Sequence, residues 1–139
     1  MNALYAMTAA ILVLAGAPTT AADSEAVGPA QVAAKSWLAL ADSAEYGRSW
    51  DAASAFFKSA ITRDAWEKAL QGVRSPLGAI KSRKVESATF TRDLPGAPDG
   101  EYVVIRFQSR FEDKDTAVET VTPMLEKDGT WKVSGYFIK

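Results

Sequence analysis

Four acids, Asp93, Asp99, Glu101 and Glu119, are the residues of this 139-residue chain whose type could support acid–base work. A glycoside-cleaving pair would need its carboxyls about 5 to 9.5 Å apart, and the three loop acids stand beside Pro95, Pro98 and Gly100, where acids ordinarily shape turns. Arg74 directly precedes Ser75-Pro76 at the end of an expected helix, so its planar guanidinium could be presented to a carboxylate or phosphate. It could equally close the helix end or pair with an internal acid such as Glu119. Trp37, Tyr46 and Trp50 could line a conical pocket with Arg74 as polar anchor. The competing reading is core, because Trp37, Trp50, Trp66, Trp131 and Phe57 all fall on stripes expected to be buried.

What is missing narrows the chemistry further. The chain has no histidine and no cysteine, which removes Ser-His-Asp and Cys-His nucleophiles, Cys/His zinc sites, c-type haem attachment, disulfides and a neutral-pH histidine switch. Glu112-Asp113-Lys114-Asp115 lacks the glycine and trailing glutamate of a calcium loop, and there is no phosphate loop or dinucleotide fingerprint. No cofactor and no metal is expected. Sixteen basic and 17 acidic residues give a net charge of -1 without a long run of either sign, so the sequence carries no footprint for nucleic acid. Only between Arg74 and Arg92 do cations gather, with Lys81, Arg83 and Lys84 facing Glu86 alone, which reads as a solvated strand face or an anion site.

The clearest element is the stretch 92–111. Leu94-Pro95-Gly96-Ala97 suits a type II turn and Ala97-Pro98-Asp99-Gly100 a type I turn. Beyond them Val103, Ile105, Phe107 and Phe111 alternate with Tyr102, Arg106, Gln108 and Arg110, the period of a half-buried strand. Tyr102, Val104, Arg106, Gln108 and Arg110, joined by Val118, Thr120, Thr122 and Met124 of the following strand, would form a mixed aromatic, aliphatic and arginine face opposite the core. Tyr, Met and Arg are enriched at interfaces, so this face could bind a partner or a second copy, or be an ordinary wet sheet surface.

Three helices should precede it. Gly28-Pro29 suits a helix start, with Ala33, Trp37, Leu40 and Ala44 on one stripe and an end near Tyr46-Gly47. Ser49 could cap a second helix bearing Trp50, Ala53, Phe57 and Ile61, and Thr62 a third bearing Trp66, Leu70 and Val73. A polar edge strand is expected over 80–90, a third strand over 117–126 with Pro123 at an edge or bulge, and a last strand over 131–138 after the Asp128-Gly129 turn, with Gly135 as a bulge re-aiming Tyr136, Phe137 and Ile138. The expected fold is α+β: three N-terminal helices on one face of a four-stranded antiparallel sheet, a cystatin-like or nuclear-transport-factor-2-like cone.

Residues 1–22 run apolar from Leu4 to Ala15 and place Thr20 and Ala22 where a signal peptidase reads, although no Lys or Arg precedes the run. The apolar stretch is short for a bilayer, which takes about 20 residues, and no cysteine offers a lipid anchor. The expectation is an export signal over 1–22, a mobile lead-in over 23–28 and one domain over 29–139, periplasmic or secreted, with no stable membrane anchor once the signal is cleaved.

Four ordered motifs, Trp50-x-x-Ala-x-x-x-Phe57, Arg74-Ser-Pro-Leu-Gly78, Leu94-Pro-Gly-Ala-Pro-Asp-Gly-Glu-Tyr-Val103 and Asp128-Gly-x-Trp-x-Val-x-Gly-Tyr-Phe-Ile138, resemble the bacterial exported family catalogued as domain of unknown function four-zero-one-nine. The resemblance spans 33–139 and implies no activity, ligand or catalytic residue. The residues therefore favour a non-enzymatic exported module binding an unknown protein partner, or itself as a homodimer, through the open sheet face. The alternatives are a small-molecule binder with a conical aromatic pocket, and a carboxylate-based hydrolase or isomerase.

Overall fold

The computed structural model describes residues 21–139. The expected export signal over 1–22 therefore lies outside the described residues except for its last two positions. Four α-helices, α1 (Ala21–Asp42), α2 (Tyr46–Asp51), α3 (Ala55–Ala60) and α4 (Arg63–Arg74), lead through a 3-10 turn at Ser75–Leu77 into strands β1 (Ile80–Thr91), β2 (Tyr102–Phe111), β3 (Lys114–Leu125) and β4 (Trp131–Ile138). The strands form one antiparallel meander in the order β1-β2-β3-β4. The α+β architecture stands, with four helices where three were expected. Among the described residues no helix is long and apolar enough to cross a membrane.

The helices depart from the expectation in two places, and the added one comes from the second. α1 begins at Ala21, so residues 23–28 are helical and Pro29 lies inside the helix rather than opening it. Proline there deprives the Glu25 carbonyl of its usual donor, while Ala26 and Ala30, small and buried on either side, let the two turns sit close against the core. Its buried stripe is Ala30, Ala34, Trp37, Leu38 and Ala41. Ala33 and Leu40 fall at its margin, and Ala44 lies beyond the helix end at φ 58°. The second expected helix is broken in two. Ser49 does not cap it: it is buried within α2, its hydroxyl donating to the Tyr46 carbonyl at 2.6 Å. The cap is Ser54, whose Oγ accepts from the Phe57 N–H at 3.1 Å. Thr62 caps α4 as expected, accepting from Ala65, but Val73 of the expected apolar stripe is 47% exposed.

The sheet follows the sequence more closely. Ala97 N–H reaches the Leu94 carbonyl at 3.1 Å and Gly96 has φ 84°, the positive value a type II turn requires at its third residue. The second expected turn closes differently, the Gly100 N–H reaching back to the Arg92 carbonyl. Pairing resumes at Tyr102 opposite Thr91. Val103, Ile105, Phe107, Val121 and Val133 face the helices and join the α1 and α4 stripes in a single core. Pro123 sits not on an edge but in central β3, where the register against β4 slips between Val121 and Pro123; the extra residue is on β4 beside Gly135. That bulge turns Tyr136 inward to the core and leaves Phe137 outward, 53% exposed.

Candidate functional site

Alternation along β1 sends Arg83 to the helix side, opposite Ser109 of β2, and alternation along β3 sends Glu119 the same way, opposite Phe107. Both are long polar side chains on an apolar face, and they meet. Arg83 Nε donates to Glu119 Oε1 at 2.7 Å and its Nη2 to Oε2 at 3.2 Å. The same guanidinium donates to both oxygens of Asp42, the last residue of α1, at 2.8 and 2.9 Å. Glu119, with no solvent exposure, also accepts from Ser109 Oγ at 2.6 Å and from the Tyr136 hydroxyl. Arg74 Nη2 donates to Asp42 at 2.7 Å, and its guanidinium lies 5.0 Å above the Phe111 ring. One cluster of two arginines and two carboxylates thus ties every strand to α1 and α4.

Its electrostatics are those of a lock rather than a reactive centre. Burial works against the charge on Arg83, but the hydrogen bonds it donates to Asp42 and Glu119, with the charges of those carboxylates, outweigh it and hold the guanidinium protonated. Burial alone would raise the Asp42 carboxyl, yet Arg83 and Arg74 bring it below its ordinary value. Burial, then the Glu119 charge, push the Tyr136 phenol far up. Each carboxylate is engaged by fixed donors. Two donors remain over: Arg74 Nε and Nη1 are buried with no hydrogen-bond partner among the described residues.

The residues expected to form a conical pocket do not gather around a common space. Trp37 Nε1 donates to the Ser49 carbonyl, Trp66 Nε1 to Ser49 Oγ and Trp50 Nε1 to the Ile61 carbonyl, each at 2.9 Å. Trp37 packs on Trp66 and Tyr136, and Phe57 stands edge-on to Trp66. Tyr46 and Trp50 pack on this core from the side. Arg74 turns away to Asp42 and Phe111. Its partner is an internal acid at a helix end, as one reading expected, while Glu119 goes to Arg83. Trp37 borders a shallow groove of about 300 Å³ with Trp131 and Ala33, which none of Tyr46, Trp50 and Arg74 lines. The four acids separate: Glu119 is in the cluster, whereas Asp93, Asp99 and Glu101 line an open depression of about 570 Å³ beside Arg92 at the hairpin tip.

The outer face of the sheet brings most of the other candidates together. Arg106 is exposed and 3.3 Å from Glu86, whose other oxygen accepts from the Gln108 amide at 3.0 Å. Val104 and Val118 are half-buried between them, Arg110 is exposed, and Thr120 is opposite both Arg106 and Phe137. Val104, Arg106, Val118, Thr120, Phe137 and Lys139 surround a depression of about 260 Å³. Tyr102 is the exception. It has no exposure, because its ring lies under the hairpin loop and its hydroxyl donates to the Pro98 carbonyl at 2.5 Å. Phe137 was missed as a member of this face; the signal was Gly135, whose bulge inverts the parity of the residues that follow.

A family model described as "Protein of unknown function (DUF4019)" matches residues 33–136. No curated protein and no solved structure matches the chain.

Proposed function

Because the chain belongs to the DUF4019 family, whose description assigns no activity, we propose a role from the molecule's own surface: a non-enzymatic module that binds another protein through the outer face of its sheet. The observation that carries this reading is the patch of Val104, Val118 and Phe137, apolar at its centre and edged by Arg106. Phe137 is one of three large hydrophobics that remain exposed among the described residues, the others being Val32 and Val73. Beneath the patch, the Arg83–Glu119 cluster joins all four strands, so the platform is preorganised and ordering it on binding costs little. The partner is a different protein. On β1 and β2 this face carries Lys84, Arg106 and Arg110 against Glu86, and two copies pressed together would oppose like charges. The setting is the periplasm or the cell exterior, reached through the N-terminal signal.

A photo-crosslinking residue at Val118 should yield a discrete protein adduct in the native cells, lost when Arg106→Glu is added. The same probe at Val32, exposed on α1, should yield none. Equal labelling from both positions, or adducts indifferent to Arg106→Glu, would refute the reading.

A second reading has one observation in its favour, the meeting of Asp93, Asp99 and Glu101 around one depression. Asp93 and Asp99 are exposed, without the enclosure that separates the acidities of a general acid and base. Turnover of a glycoside or ester by the purified chain, abolished by Asp99→Asn, would establish it over the first.

A further inference from the structure

The outer face has a second feature, at the end away from Phe137. Lys84 is opposite Gln108 and Ser82 opposite Arg110, so Lys84 and Arg110 are diagonal neighbours across β1 and β2, about 7–8 Å apart by strand geometry. Both are exposed, and neither has an ion pair or hydrogen bond among the described residues. The one acid on this part of β1, Glu86, is already taken by Arg106 and the Gln108 amide. The two free cations flank a groove of about 470 Å³ that also reaches Ser82, Thr116 and Val118, with Asp115 at its end. Like charges set side by side on one sheet face repel. Other surface cations are matched to acids, as in Arg48 with Glu45 and Arg63 with Asp51 and Glu67, or stand singly among the described residues, as Lys35 and Lys127 do; Lys84 and Arg110 are two unmatched cations brought together at one groove.

We infer that Lys84 and Arg110 form a carboxylate clamp, and that the partner docks an acidic polypeptide segment across this groove. The inference rests on the outer face being the binding surface. Charge complementarity selects the occupant: Asp and Glu side chains supply the missing counter-charge, and Arg110 can fork onto one carboxylate while Lys84 approaches as a point charge. Val118 borders both this groove and the apolar depression. The segment therefore carries an apolar side chain close to its acid. Strands are about 4.8 Å apart, so two to three strand spacings separate the clamp on β1 and β2 from Phe137 on β4. Specificity comes from the clamp and contact area from the apolar depression, with the Glu86–Arg106 pair between them.

The test uses the full chain and three labelled decapeptides, alternating Glu-Leu, Gln-Leu and Lys-Leu, with inorganic phosphate and anionic vesicles as further arms. The Glu-Leu peptide should bind, weaken tenfold or more in Lys84→Glu/Arg110→Glu, and weaken as salt rises. The Gln-Leu peptide should bind at least tenfold less tightly. Equal binding of Glu-Leu and Gln-Leu peptides, or no response to the double substitution, overturns the clamp. So does double-substitution-sensitive binding of phosphate or vesicles in place of the peptide, which would make the site one for phosphate. Crosslinks from Val118 measured in the same double variant separate the two levels. If they persist while remaining sensitive to Arg106→Glu, the face binds a partner without the clamp; if no Val118 adduct forms even with the unsubstituted cations, the face reading itself fails.

Discussion

Replacing Glu119 by Gln keeps the shape of the side chain and removes its charge, and the surrounding geometry sets the cost. Arg83 Nε and Nη2 now face a neutral amide instead of a carboxylate, at 2.7 and 3.2 Å. Four donor bonds converge on the two carboxylate oxygens, from Arg83 twice, Ser109 and Tyr136. The nitrogen of the introduced amide cannot accept, so at least one donor loses its acceptor. The Tyr136 hydroxyl can rotate to accept in turn; the guanidinium has no such freedom. Removing one member of a buried pair costs about 3–5 kcal/mol. Arg83 keeps both oxygens of Asp42 and its side chain is 15% exposed, which places the cost at the lower end, about 3 kcal/mol. For a domain of this size that is roughly 10–12 °C in Tm. Tryptophan fluorescence during urea unfolding should show a lower midpoint at unchanged slope. If Glu119→Gln stays within about 0.5 kcal/mol of the parent, the cluster is not the lock described.

Stability should be flat between about pH 5 and 9, since the chain has no histidine to titrate there. Tyr136 is raised by burial and by the Glu119 charge, and Tyr102 by burial and Asp99. The unfolded phenols ionise near pH 10 while the folded ones keep their protons, so this contribution is present below pH 10 and lost above it. Tyr136→Phe should make the alkaline fall shallower in a urea series run by pH. At the acid end the lowered carboxyl of Asp42 contributes above its unfolded value of 3.8 and is lost as pH falls below it, a loss that Asp42→Asn should remove. Gly78→Ala should cost about 2 kcal/mol or more, because φ is +76° and a Cβ there would be 2.9 Å from that of Glu112; a change under about 0.5 kcal/mol in the same assay would contradict it.

The sheet was legible because its signals are local. The alternation from Val103 to Phe111, the Pro95-Gly96 turn, the Asp128-Gly129 turn and the Gly135 bulge each act within a few residues, and each is where the pattern put it. The helices were less legible where tertiary burial overrode propensity. Buried Ala26 and Ala30 carry α1 through Pro29, and the indoles of Trp37 and Trp66 both converge on Ser49, which therefore serves as an interior acceptor and not as a cap. The cluster was hidden for another reason. Asp42 and Arg83 are 41 positions apart and Glu119 is 36 further on, and no local pattern distinguishes an inward arginine on a polar strand from one facing water. Tyr102 has the parity of an outward residue; only the fold of the Pro98 loop over it takes it out of solvent.

The distances along the chain also order events in time. β2 and β3 are joined at Glu112-Asp113 and β3 and β4 around Asp128-Gly129, so these hairpins can close within microseconds of one another. The contact between Asp42 and Arg83 closes a loop of 41 residues, an entropic cost of about 3 kcal/mol that is recovered only when α1 lies on the sheet. Until then the four charges of the cluster remain hydrated and Phe107, Val121 and Val133 have no cover. Docking of the first helix is therefore expected as a late step of folding, and Leu38→Ala should then speed unfolding while leaving the folding rate nearly unchanged; the interval before that step is when the nascent chain would most need shielding from its neighbours.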